Sequence, residues 1–84
     1  MAKVEVSRDA EDQIAVLPKA IRVRLLDVVR RLEKWPAVSG AKPLRGNLAG
    51  RFRIRTGDYR VQFYLDGSII VIEKVGHRDG FYEE

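Results

Sequence analysis

The feature that most restricts the fold is a strict alternation of residue types after position 50. Segment 51–55 reads Arg-Phe-Arg-Ile-Arg, so that arginine alternates with a large apolar side chain. A period of two residues is typical of a β-strand with one buried face and one exposed face. Segment 60–65 alternates in the same way, and its predicted inward residues are Val61, Phe63 and Leu65. Two such strands side by side would place apolar residues against a core and basic residues on the opposite face.

The first half of the chain predicts a short strand followed by two helices. The strand is expected over 4–7, and Ser7 is a candidate N-cap for a helix from about Arg8 to Val16. Pro18 is suited to the start of a second helix, which Pro36 would end near Trp35. Helical spacing defines the apolar stripe of that second helix: Ile21, Leu25, Val28, Val29 and Leu32.

The second half is predicted to be three strands joined by turns. Segment 36–50 is rich in proline and glycine and is interpreted as a loop. Thr56-Gly57-Asp58 and Asp66-Gly67 are turn signals, and 68–75 is apolar enough for a central strand. The predicted fold is α+β, in the order β-α-α-β-β-β, with a helical hairpin packed on one face of an antiparallel sheet. We expect a single domain over 1–84.

Composition narrows the classes of function. The chain has no cysteine, which excludes a disulfide framework, a thiolate metal site and a thiol nucleophile. Its longest strongly apolar run, 69–72, is far too short for a membrane span, and the first residues lack the apolar stretch of a signal peptide. We therefore expect a cytoplasmic protein. No cluster of metal ligands is evident, so neither a metal nor another cofactor is predicted.

The positive charge is concentrated in one part of the chain. The 16 Lys and Arg residues outnumber the 12 Asp and Glu residues, for a net charge of +4. Between positions 42 and 60 there are six basic residues and one acid, Asp58. Five of those six are arginine, which suits bidentate contacts to phosphate and stacking on bases. The candidate RNA-binding residues are Lys42, Arg45 and Arg51.

The alternation predicts a candidate catalytic groove. Arg53, Arg55 and Arg60 should share the sheet face opposite the helices, and the tail after the last strand would supply the groove's edge: His77, Arg78 and Tyr82. An arginine floor edged by an aromatic ring could hold an RNA backbone and stack on a base. On alternation alone, a solvated sheet face is an equally good interpretation of these arginines.

Several motifs together resemble one family. Leu44-Arg45-Gly46, Phe52-Arg53-Ile54-Arg55, Gly57-Asp58-Tyr59-Arg60-Val61, and Val75-Gly76-His77-Arg78 with Tyr82 resemble the RelE branch of the RelE/ParE toxin superfamily. The likeness covers nearly the whole chain, because the predicted order of elements also matches.

That resemblance implies a type II toxin that acts as a ribosome-dependent, metal-independent endoribonuclease. The 2′-OH of the mRNA in the decoding site would attack the adjacent phosphorus and leave a cyclic phosphate. By position, Arg53 and Arg55 correspond to a basic pair that is usually rich in lysine, and Arg60 and Arg78 correspond to phosphate-binding arginines. Tyr82 corresponds to a tyrosine that stacks or takes part in proton transfer.

The sequence indicates the group that transfers protons less directly than it indicates the phosphate-binding arginines. Arginine is effectively never deprotonated, so Arg53 and Arg55 are poor bases. Histidine exchanges protons near neutral pH, and the only histidine, His77, is the candidate for acid/base work.

The resemblance also implies partners and leaves two other functions open. A cognate RelB-like antitoxin would cover the basic face or the helical hairpin, and the 70S ribosome with its mRNA would be the target. One alternative is a ParE-like inhibitor of DNA gyrase on the same fold, against which Arg60, Arg78 and Tyr82 argue. The other is a degenerate member that binds RNA or antitoxin without cutting, which the arginine-for-lysine pattern keeps open.

Overall fold

The computed structural model of the chain describes residues 2–81 and contains two helices beside a five-stranded sheet. The helices are α1 (Arg8–Ala15) and α2 (Lys19–Leu32). The strands are β1 (Lys3–Val6), β2 (Lys42–Pro43), β3 (Arg51–Thr56), β4 (Tyr59–Asp66) and β5 (Ile69–His77). Two short 3₁₀ turns, Gly46–Leu48 and Arg78–Gly80, complete the described part. The predicted α+β class and the helical hairpin are confirmed.

The sheet is mixed, whereas a wholly antiparallel sheet was predicted. Its strand order is β1-β5-β4-β3-β2, and β1 runs parallel to β5. Turns join β3 to β4 and β4 to β5, so these neighbouring strands run antiparallel. β1 is not joined to its neighbour by a turn, because the chain continues from β1 through Ser7 into α1. Ser7 Oγ accepts a hydrogen bond from the Ala10 backbone N–H at 3.1 Å, which confirms the predicted N-cap.

The loop predicted over 36–50 contains one further short strand. Lys42 and Pro43 of β2 pair with Arg53 and Phe52 at the outer edge of β3. Proline is tolerated at such an edge because its missing N–H leaves no ladder bond unmade within the sheet. A two-residue strand has no readable periodicity, which is why the pattern did not reveal it.

The core lies between the helices and one face of the sheet. Its buried residues come from both layers: Ala10, Leu25, Val28, Leu32, Ile54, Val61, Phe63, Ile70, Ile72 and Val75. Trp35 closes one edge, with its ring 5.0 Å from that of Phe52 and 5.5 Å from that of Phe63, measured between centroids. Leu65, predicted to face inward, is 38% exposed at the end of β4.

A β-bulge interrupts the pairing of β4 with β5. Gln62 lies opposite Lys74 while Phe63 lies opposite Ile72, so Glu73 is an extra residue in β5. The extra residue shifts the in–out alternation by one position. Ile72 and Val75 therefore both face the helices, and Lys74 and Gly76 face the other side.

Candidate nucleic-acid interface

A polar cleft of about 390 Å³ lies on the sheet face turned away from the helices. Its lining residues are Gly40, Lys42, Arg53, Arg55 and Arg60. The three arginines predicted to share this face do share it. Each is next in sequence to a core residue of β3 or β4, so its side chain points to the face away from the core. We call the surface formed by Lys42, Arg53, Arg55 and Arg60 the basic cleft.

The basic cleft juxtaposes like charges across neighbouring strands. Lys42 is the cross-strand partner of Arg53, and Arg55 is the cross-strand partner of Arg60. Like charges directly opposite each other destabilise a sheet. Four cations on three adjacent strands also create a strongly positive local potential. This arrangement of basic side chains is suited to a polyanionic ligand.

The loop before β2 closes one side of the cleft. Arg31 of α2 donates through Nη2 to the carbonyl oxygen of Ser39 at 3.0 Å. The next residue, Gly40, has a φ of +87°, a conformation that favours glycine. The helix thus holds the loop where it turns into the cleft, and this contribution was not evident from the sequence.

Arg51 is on the same sheet face but is engaged by an acidic neighbour. Its Nε donates to Glu73 Oε2 at 2.9 Å, and its guanidinium lies 5.4 Å from the centroid of the Tyr64 ring. Gln62 Nε2 donates to the same Glu73 oxygen at 2.8 Å. Arg51 was predicted to bind RNA directly, and in this structure its charge is largely balanced by Glu73.

Arg45 and Arg78 do not line the basic cleft. Arg45 is exposed in the loop before the first 3₁₀ turn. The Arg78 side chain is 58% exposed, and its Nε lies 3.6 Å from Asp79 Oδ1. The Arg78 backbone is fixed, because its N–H donates to the carbonyl oxygen of Asp58 at 2.8 Å. Their roles in binding and catalysis stay predictions.

His77 lies on the other side of the sheet from the basic cleft. It pairs with Tyr59 in the β4–β5 ladder, two positions beyond the Val61–Val75 core pair. Its ring packs edge-on against Tyr59, with 5.3 Å between centroids, and its Nδ1 accepts the Asp79 N–H at 3.1 Å. The expectation that His77 edges the arginine groove is therefore not met. Tyr82 lies outside the described residues.

Lys42 was predicted to bind RNA, and β2 places it in the cleft opposite Arg53. One residue of this face, Phe81, was missed at the level of sequence. Phe81 is buried, and its Cδ1 would lie 3.3 Å from a Cβ built on Gly76. An isolated glycine inside a strand is a signal of such close approach, but Gly76 lies just beyond the strand predicted over 68–75, so the signal was not evident from the sequence.

Within residues 2–81, no helix is long and apolar enough to cross a bilayer. The same residues contain no group of three or more His, Asp or Glu side chains arranged to hold a metal ion.

Comparisons with known proteins agree with this architecture. Residues 4–80 match the family model described as the ParE toxin of the type II toxin–antitoxin system parDE. A comparison with curated protein sequences gives no significant match.

Solved toxin structures share the fold over nearly the whole chain. A chain of the RelBE2 toxin–antitoxin complex from Mycobacterium tuberculosis superposes with a TM-score of 0.82 at 31% identity, covering 92% of this chain and 98% of that one. The archaeal RelE–RelB complex from Pyrococcus horikoshii OT3 gives 0.74 at 26% identity, covering 95% and 98%. The isolated RelE toxin of E. coli gives 0.76 at 17% identity, covering 92% and 84%, which is a likeness of fold. The chain therefore belongs to the RelE/ParE superfamily of type II toxin–antitoxin toxins, in its RelE branch.

Proposed function

We propose that the protein is an endoribonuclease that cleaves mRNA on the ribosome. The observation that carries this proposal is the basic cleft, where Lys42, Arg53, Arg55 and Arg60 converge on the face away from the helices. Lys42 lies opposite Arg53 and Arg55 lies opposite Arg60 on adjacent strands, and this row of cations is suited to the phosphates of an RNA backbone.

The chemistry proposed is transfer of a phosphoryl group within the RNA. The 2′-oxygen forms a bond to the adjacent phosphorus and loses its proton, while the bond from phosphorus to the 5′-oxygen breaks and that oxygen gains a proton. Negative charge develops on the phosphorus oxygens, and fixed guanidinium groups of Arg53, Arg55 and Arg60 would stabilise it.

Lys42 is our candidate for proton transfer in the cleft. Guanidinium groups do not exchange protons in proteins, whereas an ammonium can. Among the described cleft residues, Lys42 alone has a side chain of that kind. His77 faces the opposite side of the sheet in this structure, so a catalytic role for it would require rearrangement of the strand end.

An antitoxin is the proposed physiological partner. The M. tuberculosis and P. horikoshii relatives were each solved as toxin–antitoxin complexes. A RelB-like antitoxin that covers the basic cleft would prevent contact with mRNA and the ribosome. Cytoplasmic localisation belongs to the same proposal, because the ribosome is the target.

Primer extension on a defined mRNA, with and without programmed 70S ribosomes, tests the proposal. We expect codon-positioned cuts with the full-length protein only when ribosomes are present. Arg60→Ala should reduce the cleavage rate on the order of 100-fold to 1000-fold, because one charge-stabilising donor is lost. Arg8→Ala is the charge-matched control, since Arg8 is exposed on α1, which packs on the other sheet face.

Intact mRNA in both conditions, with protein shown to be folded, would contradict the proposal. Inhibition of DNA gyrase by the same preparation would then identify a ParE-like activity. Equal loss of rate in Arg60→Ala and Arg8→Ala would show that net charge matters and that the basic cleft does not.

A further inference from the structure

Phe81 forms a small apolar contact on the same sheet face as the basic cleft. It is 7% exposed, yet it does not belong to the core cluster beneath the helices. Its ring lies against Gly76, where a Cβ would be 3.3 Å from Cδ1. Gly76 is the cross-strand partner of Arg60, so the ring sits at the end of the face that Arg60 occupies. A buried aromatic residue at this place needs an explanation that core packing does not supply.

Lys74 also contacts the Phe81 ring. Its Nζ lies 4.4 Å from the Phe81 ring centroid, within the range of a cation–π contact. Lys74 and Gly76 face this side because of the bulge at Glu73. A glycine inside a strand weakens the strand, so its presence here is explained by the space that it leaves for the ring.

The chain between β5 and Phe81 is held at both ends. At the start, the Arg78 N–H donates to the Asp58 carbonyl oxygen at 2.8 Å, and His77 Nδ1 accepts the Asp79 N–H at 3.1 Å. The 3₁₀ turn Arg78–Gly80 then reverses the chain, and the Phe81 N–H donates to the Arg78 carbonyl oxygen at 3.4 Å. The turn that carries Arg78 is therefore fixed at its start by the hydrogen bond to Asp58 and at its end by the buried Phe81 ring.

We propose that Phe81 is a positioning residue that holds the Arg78 turn beside the basic cleft. The proposal rests on the proposed ribonuclease function, in which Arg78 contacts phosphate. The Arg78 side chain is 58% exposed, and its Nε lies 3.6 Å from the carboxylate of Asp79, whose side chain is 79% exposed. Its backbone must therefore be placed by its neighbours, and a displacement of about 1 Å from a remote change can reduce a rate on the order of 100-fold.

Ribosome-dependent cleavage by the full-length protein tests this role. Phe81→Ala should lower kcat by about 100-fold while KM changes little, measured at a temperature where the variant is shown to be folded, since loss of a buried ring also lowers stability. Gly76→Val should produce the same defect by filling the seat of the ring. The double variant should be no worse than the more severe single variant, since both changes remove one contact. Val16→Ala, at an 82% exposed position, is the control for loss of apolar volume.

An NMR measurement separates this proposal from the function on which it rests. In the wild-type protein, the Phe81 ring should shift the Gly76 Hα and Lys74 Hε resonances, and Phe81→Leu should remove those shifts. The Arg78 backbone amide should then become more mobile on the ps–ns timescale. An unchanged Arg78 amide overturns the positioning role, whether or not the protein cleaves RNA. Cleavage by Phe81→Ala at the wild-type rate overturns it as well. Absence of cleavage by the wild type overturns the ribonuclease function alone, and the NMR result then decides the role of Phe81.

Discussion

At the scale of single residues, the basic cleft differs from a generic positive patch through the identity of Lys42. The other cations of the cleft are arginines, which bind phosphate but do not exchange protons. Lys42→Arg preserves the charge and removes the exchangeable ammonium. We expect RNA affinity to be retained while single-turnover cleavage falls by a factor on the order of 100 to 10,000, the usual range for loss of an acid or base.

Lys42→Met is the companion variant for this prediction. It removes both the charge and the proton, so RNA affinity should fall along with the cleavage rate. Wild-type cleavage by Lys42→Arg would show that Lys42 contributes charge alone, and would return attention to His77 and Tyr82.

Glu73 is predicted to oppose RNA binding while it stabilises the fold. Its Oε2 accepts from both Arg51 and Gln62 in a partly buried network. Glu73→Ala should cost about 1–3 kcal/mol in unfolding free energy, because it leaves the Gln62 donor without its acceptor. It should also tighten binding of single-stranded RNA, because the charge of Arg51 is no longer balanced.

Glu73→Gln separates the two effects, since its side-chain carbonyl can still accept from Gln62 but carries no charge. Urea unfolding and fluorescence anisotropy with a labelled RNA measure stability and affinity. Weaker RNA binding in both variants would contradict the assignment of Glu73 as a counter-charge to Arg51.

At the scale of elements, local patterns predicted each helix and each long strand. The Arg-apolar alternation of β3 and β4 was sufficient to place Arg53, Arg55 and Arg60 together, because side chains at alternate positions must share a face. The parallel direction of β1 and the pairing of β2 depend on tertiary contacts, which local periodicity does not encode.

The placement of His77 has two physical causes. The last strand was predicted to end at Val75, with His77 in a tail beside the arginines, whereas β5 continues through His77. The extra residue Glu73 then shifts the alternation, so that His77 lies on the same face as Val75. A bulge requires comparison of two strands in register, so one strand's pattern could not reveal it.

The Ser7 cap gives an element-scale prediction. Ser7 Oγ accepts from the Ala10 N–H and links the end of β1 to the start of α1. Ser7→Ala should lower the free energy of unfolding by about 1 kcal/mol, whereas Ser7→Gly should lower it by only a few tenths. Thermal and urea unfolding of both variants measure this difference. Equal destabilisation by alanine and glycine would show that the hydroxyl contact is not what stabilises the helix start.

At the scale of the whole molecule, the sheet separates two surfaces with different chemistry. One face packs α1 and α2 over the apolar core, and the other presents the basic cleft. This division explains why a domain with a net charge of only +4 can still concentrate cations on one ligand-binding face. Binding of RNA should therefore depend on few ionic contacts, all from one side of the sheet.

The slope of RNA affinity against salt concentration reports the number of those ionic contacts. With Lys42, Arg53, Arg55 and Arg60 each neutralising one phosphate, log K should fall with log salt at a slope of roughly −3 for single-stranded RNA. Affinity should then drop by roughly 50-fold between about 50 and 200 mM KCl. Arg60→Ala should flatten the slope by about 0.7, and Arg8→Ala should leave it unchanged. Anisotropy titrations of a short labelled RNA at several salt concentrations give each slope. A wild-type slope near zero, or identical slopes for both variants, would mean that RNA does not bind through the basic cleft.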